Sequence, residues 1–246
     1  MAATLVQSKT VAASSATSTA TFDSSPTDGN LLIAIVAYVG NSGFATTPTG
    51  WAQAAFSGGS AHGFVTIWYK VAGAGESSTV TFTVSTLAVG SIAIFEYSGM
   101  TATPFDVGAQ AAAAYGTSIG TGTTATIAQA DELLIAAVAT PEVTRTFSNT
   151  WGNGFTQLSQ HNRQETASLV VASTGAYTTS EAWTGASWGV GCIAAFKIAV
   201  SGTNMKINIA DTFKDVSEVK INIGDTWKTV TKVQVNIGNI WKTVFG

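Results

Sequence analysis

The sequence predicts an all-β protein, an antiparallel β-sandwich of jelly-roll type, and three observations support this fold class. Apolar and polar residues alternate with a period of two, as in Thr79–Ser85, where Val80, Phe82 and Val84 fall on one face. Apolar runs are short and are bounded by Gly, Ser, Thr and Asn, which is typical of strands and turns. No long window shows the helical period of about 3.6 residues.

Strand patterns recur along the first 200 residues. The segment Leu31–Val36 is continuously apolar, and its shortness favours a buried strand over a buried helix. The best helical candidate is Ala109–Tyr115, for which a strand or a loop are the alternatives. The segments with the strand pattern are Leu31–Val39, Phe64–Val71, Thr79–Ser85, Ser91–Tyr97, Leu133–Val138, Ser168–Ala172 and Val190–Ile198.

Two parts of this region, 1–102 and 103–200, resemble each other. Matching landmarks in a constant order indicate an internal duplication. Residues 1–200 then form either one pseudo-symmetric sandwich or two abutting sandwiches. The landmarks recur about 100 residues apart, with Asp28–Ala37 matching Ala130–Ala139, Gly50-Trp51 matching Gly154-Phe155, and Ile92–Phe95 matching Ile193–Phe196.

Residues 203–246 contain a different pattern, three copies of one 14-residue unit. Each copy alternates apolar and polar residues and ends in an aromatic residue followed by Lys, at Phe213, Trp227 and Trp241. Gly224-Asp225 and Gly238-Asn239 are typical of a two-residue type II′ turn. Each unit is therefore predicted to be a β-hairpin. Such a unit is too small to bury its own face, so the copies need neighbours to pack against, either in the body or in other chains.

Composition and charge exclude several classes of protein. Charged residues make up 10% of the chain, against about 25% in an average soluble domain, and the net charge is -3. This balance offers nucleic acid no basic surface. The longest apolar run, Leu31–Val39, is much shorter than the roughly 18 residues of a membrane helix, so we expect no membrane insertion. The segment Met1–Lys9 lacks the pattern of a signal peptide, which predicts synthesis in the cytoplasm without export.

Few residues carry a pattern that supports catalysis. Gly185–Gly189 fits the G-x-S-x-G string of a nucleophile elbow, but a strand-like segment follows it and His62 and His161 both lie upstream. Gly120–Ala125 imitates a dinucleotide loop without the helix that such a loop requires. Cys192 lies in an apolar stretch and is expected to pack as a small hydrophobic residue.

No metal-ligand spacing occurs either, and nothing in the sequence pairs any two carboxylates for general acid and base roles. We therefore expect no cofactor, no metal and no enzymatic activity. The candidate carboxylates are Glu76, Glu96, Asp106, Glu142, Glu165 and Glu181.

The seven tryptophans raise the question of a carbohydrate surface, because a flat ring can stack on the face of a sugar. Trp68 is flanked by apolar residues and is expected in the core. The candidates for contact with a glycan or a protein partner are Trp151, Trp183 and Trp188. Trp151 is the first choice, because it lies in a polar segment predicted to be a loop.

Several segments together resemble a family. Gly29–Ala34, Thr47–Trp51, Ile67–Ala72 and Ser91–Gly99 resemble a β-sandwich of virion structural proteins from tailed bacteriophages. The repeats that end in Trp-Lys look like short C-terminal repeats of phage tail and virion-surface proteins.

The resemblance implies a non-enzymatic capsid decoration or tail-appendage subunit of the virion. Such a subunit would form a homo-oligomer, of which a trimer is one form, and would bind other virion proteins. The resemblance transfers no catalytic residue. The alternative is a carbohydrate-binding adhesin that recognises glycans of the host surface.

Overall fold

The computed structural model of the protein consists of strands and turns, with no helix among the residues that it describes. Strands make up 64% of the chain and the sheets are antiparallel, which confirms the predicted fold class. The chain divides into two compact units, a body at Ala2–Ala199 and a tail at Val200–Gly246. The described residues are 2–13, 15–39, 44–46, 48–59, 62–84, 89–142, 145–161, 163–199, 206–209, 212–215, 220–223, 226–230, 233–237 and 240–245.

The first half of the body forms two sheets. A five-stranded sheet has the order β1-β8-β3-β6-β5, and a three-stranded sheet has the order β2-β7-β4. Their apolar residues pack together in one core cluster, so this half is a sandwich of its own. The strands are β1 (Thr4–Ala13), β2 (Thr17–Thr21), β3 (Leu31–Tyr38), β4 (Phe44–Thr46), β5 (Ala52–Gly59), β6 (Gly63–Val71), β7 (Thr79–Val84) and β8 (Gly90–Ser98).

The second half of the body forms one continuous sheet around a long final strand. The order is β10-β14-β11-β13-β12, and β9 pairs with the C-terminal part of β14. The strands are β9 (Met100–Gln110), β10 (Ala114–Gly120), β11 (Glu132–Ala139), β12 (Thr156–His161), β13 (Gln164–Val171) and β14 (Ser180–Ile198).

The two halves share a strand order. In the first, β3 lies between β8 and β6, and in the second, β11 lies between β14 and β13. The edge strands β1 and β5 have counterparts in β9 and β12. Strand β14 corresponds to both β7 and β8. Its first part pairs with β10, as β7 pairs with β2, and its last part pairs with β11, as β8 pairs with β3. A gene duplication would produce this arrangement.

The segment Ala109–Tyr115 is not helical, which corrects the best helical candidate of the sequence analysis. Strand β9 continues to Gln110 and β10 begins at Ala114. Both strands pair with β14. These sheet hydrogen bonds outweigh the helix propensity of the alanine run, because intrinsic propensity is a weak term that tertiary contacts override.

The continuous apolar runs are buried strands, as predicted, and the structure shows that both of their faces are buried. In β3, Leu31, Ile33 and Ile35 face a core cluster shared with the second half. The alternate residues Leu32 and Ala34 face the three-stranded sheet of the first half. A strand that contributes to two cores has no polar face, and this explains why its sequence does not alternate.

Aromatic and polar contacts join the two halves. Tyr69 of β6, Phe105 of β9 and Phe196 of β14 form a cluster in which the ring centroids are 5.2 to 6.1 Å apart. Ser91 Oγ donates a buried hydrogen bond of 2.8 Å to Gln164 Oε1 across the interface. The halves are therefore held by a common interior and not by surface contacts alone.

One close approach between the halves requires glycine. A Cβ atom at Gly108 of β9 would collide with the carbonyl oxygen of Ala54 in β5. We expect Gly108→Ala to lower the free energy of unfolding by about 1–3 kcal/mol, because backbone atoms must move to admit the methyl group. Urea denaturation measures the change. Gly73→Ala is the control, since a Cβ there meets nothing within 4 Å, and an equal loss in both variants would contradict the explanation.

The described residues of the tail form three two-stranded antiparallel sheets. In each, the aromatic residue of the repeat lies opposite the Asn of the first strand, as Trp227 lies opposite Asn222. The predicted turns at 224–225 and 238–239 lie outside the described residues. The strands are β15 (Lys206–Ile209), β16 (Thr212–Asp215), β17 (Lys220–Ile223), β18 (Thr226–Thr229), β19 (Val233–Ile237) and β20 (Ile240–Phe245).

Candidate functional site

Two of the three tryptophans predicted to contact a ligand are core residues. Trp151 is 7% exposed and Trp183 is 4% exposed, and both belong to the core cluster of the second half. Asn149 and Asn153 have left-handed backbone conformations, which are those of tight turns. The loop between them folds its tryptophan inward, so the polar neighbours of Trp151 did not indicate exposure. Neither indole presents a ring face to solvent, and this corrects their placement as surface contacts.

The third tryptophan, Trp188, lies on the surface within an aromatic group. It is 36% exposed, and its cross-strand partner on β10, Tyr115, is 64% exposed. The two rings meet edge to face with centroids 5.8 Å apart. His62, which precedes β6, stacks on the indole of Trp188 at 3.7 Å. We call His62, Tyr115 and Trp188 the aromatic cluster.

A groove of about 300 Å³ is lined by residues that lie close in the sequence to the aromatic cluster: Gly58 comes four residues before His62, and Ala113 two residues before Tyr115. One wall is Phe56, Ser57 and Gly58 of β5, and the other is Gln110 with Ala111–Ala113. Ser57 ties the walls together, because its Oγ donates to Ala111 O at 2.8 Å and accepts from a backbone N–H of β14. The groove is therefore built by both halves of the body, like the aromatic cluster.

Sequence reasoning identified only Trp188 in this region. Tyr115 becomes its neighbour through the register of β10 and β14, and His62 reaches it from the other half of the body. The described residues of the groove and the cluster include no Asp, Glu, Lys or Arg. The surface that they form is therefore aromatic and polar.

A pair of carboxyl groups lies inside the second half. Glu165 of β13 is fully buried and Glu181 of β14 is 1% exposed. Glu181 Oε1 accepts hydrogen bonds from Ser148 Oγ at 2.7 Å and from the backbone N–H of Asn149 at 3.0 Å. Burial raises the pKa of Glu165, the negative charge of Glu181 adds to this effect, and the indole N–H of Trp151 opposes both, so that the pKa is about 8.

The geometry of this pair points to a structural role. Glu165, with its pKa of about 8, is mainly protonated at neutral pH, and Glu181 Oε1 is held by its two hydrogen-bond donors. Glycoside hydrolysis uses two carboxyl groups in different protonation states, but both groups must face a groove that holds the sugar. Neither side chain reaches solvent, so no substrate can approach them in this structure.

Two other buried carboxylates also hold the body together. Burial alone would raise the pKa of Glu96, but hydrogen bonds from Gln7, Thr27 and Asn30 outweigh it and lower the pKa. Burial and, to a smaller extent, the charge of Asp106 raise the pKa of Glu132 to about 7. Both lie at strand ends, where they fix loops to the sheets.

Cys192 and Ser187, two further candidates for chemistry, are also buried. Cys192 is fully buried, and burial raises the pKa of its thiol. Gly185–Gly189 lies inside β14 with Ser187 enclosed, so the string forms no nucleophile elbow. Among the described residues, no three His, Cys, Asp or Glu side chains come together as a metal site.

The repeat aromatics Phe213, Trp227 and Trp241 lie on β16, β18 and β20. Their side chains are outside the described part of the structure, so the prediction that they make contacts stays a prediction.

No family model, curated protein or solved structure matches the chain. In the part of the chain that the structure describes, no helix is long and apolar enough to cross a membrane. What supports a function is therefore the sequence itself and the geometry of the body and the tail.

Proposed function

We propose that the protein is a non-enzymatic structural component of a bacteriophage virion, a surface-exposed capsid decoration or tail-appendage subunit that binds neighbouring copies and other virion proteins. The tail is the observation that carries this proposal. The virion location itself rests on the resemblance of the sandwich segments and the Trp-Lys repeats.

The tail supports assembly because its sheets are too small to be stable alone. Each sheet has only two strands, and both outer edges lack a partner strand among the described residues. An isolated two-stranded hairpin is marginally stable in water, and unpaired strand edges accept further strands. Neighbouring subunits in a particle would supply the packing that each hairpin needs.

The body offers a neutral surface of the kind that neighbours can cover. One such face is a ladder of threonine hydroxyls across β2 and β7, which interact at 3.0 to 3.4 Å. Binding of a neighbour to such a face should depend little on salt concentration, since the face carries no charge. The ladder is made by the pairs Thr17–Thr83, Thr19–Thr81 and Thr21–Thr79.

Strand β1 provides an apolar edge. It ends its sheet, and the exposed side chains Leu5 and Val6 lie near its start. Covering apolar residues at an open edge with a partner is favourable, because it removes apolar surface from water.

Mass spectrometry of purified virions tests the location of the protein. Peptides of this chain are expected in the particle at a copy number typical of a structural subunit. Their absence from purified particles would refute the virion proposal.

Light scattering after size-exclusion chromatography tests the assembly function of the tail. We expect the full chain to be an oligomer and Ile221→Asn to shift it at least partly to monomer, because Ile221 belongs to the apolar face that the alternation predicts. Lys220→Gln, on the opposite face of the same strand, is the matched control. A wild-type chain that stays monomeric and binds no particle protein would contradict the proposal.

A further inference from the structure

The aromatic cluster and the adjoining groove form a surface feature that the assembly function does not use. We propose that they form a binding site for a neutral carbohydrate, an uncharged oligosaccharide of which one or two rings contact the protein. The site does not depend on the virion location, because it is built wholly within the body.

The exposure of the rings favours a ligand. Tyr115 is 64% exposed and Trp188 is 36% exposed, and they are cross-strand neighbours, so their apolar surfaces form one patch. Binding of a ligand that covers a patch of adjacent aromatic rings is favourable, because it removes apolar surface from water. The C–H face of a pyranose ring is apolar and flat, and it matches such rings in shape.

The rings are also held in place before a ligand arrives. His62 stacks on one side of the Trp188 indole, and Tyr115 contacts it edge to face. Tyr115 and Trp188 are carried by paired strands and not by a long loop. A rigid site loses little conformational entropy when it binds, and this matters for sugars, whose contacts are individually weak.

The groove supplies the polar part of the site. A sugar that stacks on a ring directs its hydroxyl groups sideways, where they need hydrogen-bond partners. Gln110 offers both amide donors and an amide acceptor at the groove wall, and the tyrosine hydroxyl of Tyr115 offers another group. A volume of about 300 Å³ is at the small end of ligand sites, which suits one or two sugar rings better than a folded protein.

The absence of fixed charge among these described residues selects the class of sugar. The lining and the cluster include no Asp, Glu, Lys or Arg. A sialic acid, uronic acid or sulfated sugar would lose hydration of its charge without gaining an ion pair. Uncharged hexoses have no such cost, so they are the favoured ligands.

A glycan array probed with the full-length protein, followed by titration calorimetry with the best neutral oligosaccharide, tests the proposal. We expect neutral glycans to bind and acidic ones not to. Trp188→Ala and Tyr115→Ala should each weaken binding by about tenfold or more. Leu5→Ala should leave the affinity within about twofold, because Leu5 is a comparably exposed apolar residue on β1, at the opposite edge of the sheet from β5.

Thermal melts of each variant separate binding from folding, since substitutions at exposed positions change stability little. Binding of no neutral glycan, selective binding of acidic glycans, or binding that both aromatic substitutions leave unchanged would each overturn the proposal. Loss of a virion-protein contact in the two variants, without glycan binding, would also overturn it and assign the cluster to a protein interface. Glycan binding by a chain that is absent from purified virions would refute the virion function and leave this site intact.

Discussion

The free energy of unfolding is expected to contain a contribution from Glu165 that falls as the pH rises from about 4.5 to about 8. The folded-state pKa of about 8 lies above the ordinary value of 4.5. Below pH 4.5 the group is protonated in both states and costs nothing. Between the two values the unfolded chain releases the proton and the folded chain keeps it, so unfolding is favoured.

The size of this effect is large for one side chain. Each pH unit between the two pKa values costs about 1.4 kcal/mol for one proton, so the total is on the order of a few kcal/mol. Above pH 8 the folded protein also releases the proton, and the cost levels off. The ionised Glu165 then lies beside Glu181 in the interior of the second half.

Glu165→Gln is expected to remove this contribution, because the amide resembles the protonated carboxyl in shape and carries no charge. The variant should therefore gain stability relative to the wild type as the pH rises, and urea denaturation from pH 4 to pH 9 measures the difference. Glu132 adds to the pH dependence of both proteins in the same direction, since its pKa is also raised. Comparing the two proteins at each pH cancels that contribution.

Asp23→Asn is the matched control, because Asp23 is 74% exposed in an ion pair with Lys9. Its difference from the wild type should change little between pH 5 and pH 9. A difference between Glu165→Gln and the wild type that is equally independent of pH would show that Glu165 is ionised throughout.

The second large effect is expected from Phe196→Ala. Phe196 is fully buried and contacts Tyr69 and Phe105, so the substitution leaves a cavity where the two halves meet. We expect a loss of about 3–5 kcal/mol in the free energy of unfolding. Phe196→Leu retains most of the volume and should cost clearly less, about 1–2 kcal/mol.

Urea unfolding of both variants, followed by tryptophan fluorescence and by circular dichroism, measures the loss and its cooperativity. The two signals should change together, because the core between the halves is shared. Two separate transitions in the wild type, or a loss below about 1 kcal/mol for Phe196→Ala, would show that the halves are stable without each other.

The sequence predicts the inner strands of the body well, because burial determines their residue pattern. The alternation in Thr79–Ser85 predicts β7, in which Val80, Phe82 and Val84 are indeed buried. The edge strands were not predicted. Strand β1 is largely exposed and β12 has no fully buried residue, so neither has an apolar face to mark it.

The candidate sites could be predicted only in part, since they depend on contacts between distant segments. The register of β10 and β14 makes Tyr115 and Trp188 neighbours, and neither residue indicates the other in the sequence. Glu165 and Glu181 meet because β13 and β14 flank β11, and the first part of β14 extends past β11 and pairs with β10. Trp151 shows the same limit, because its loop conformation and not its polar neighbours determines its burial.

Strand β14 also has a mechanical consequence. Its 19 residues form a contour of about 60 Å at about 3.3 Å per residue. It bends where Gly185 adopts a positive φ of 69° and then runs between β11 and β9. Tension applied between its two ends would load many interstrand hydrogen bonds in shear at the same time, whereas unzipping a hairpin breaks them one after another. The body should therefore resist pulling along β14 more strongly than pulling on its edge strands.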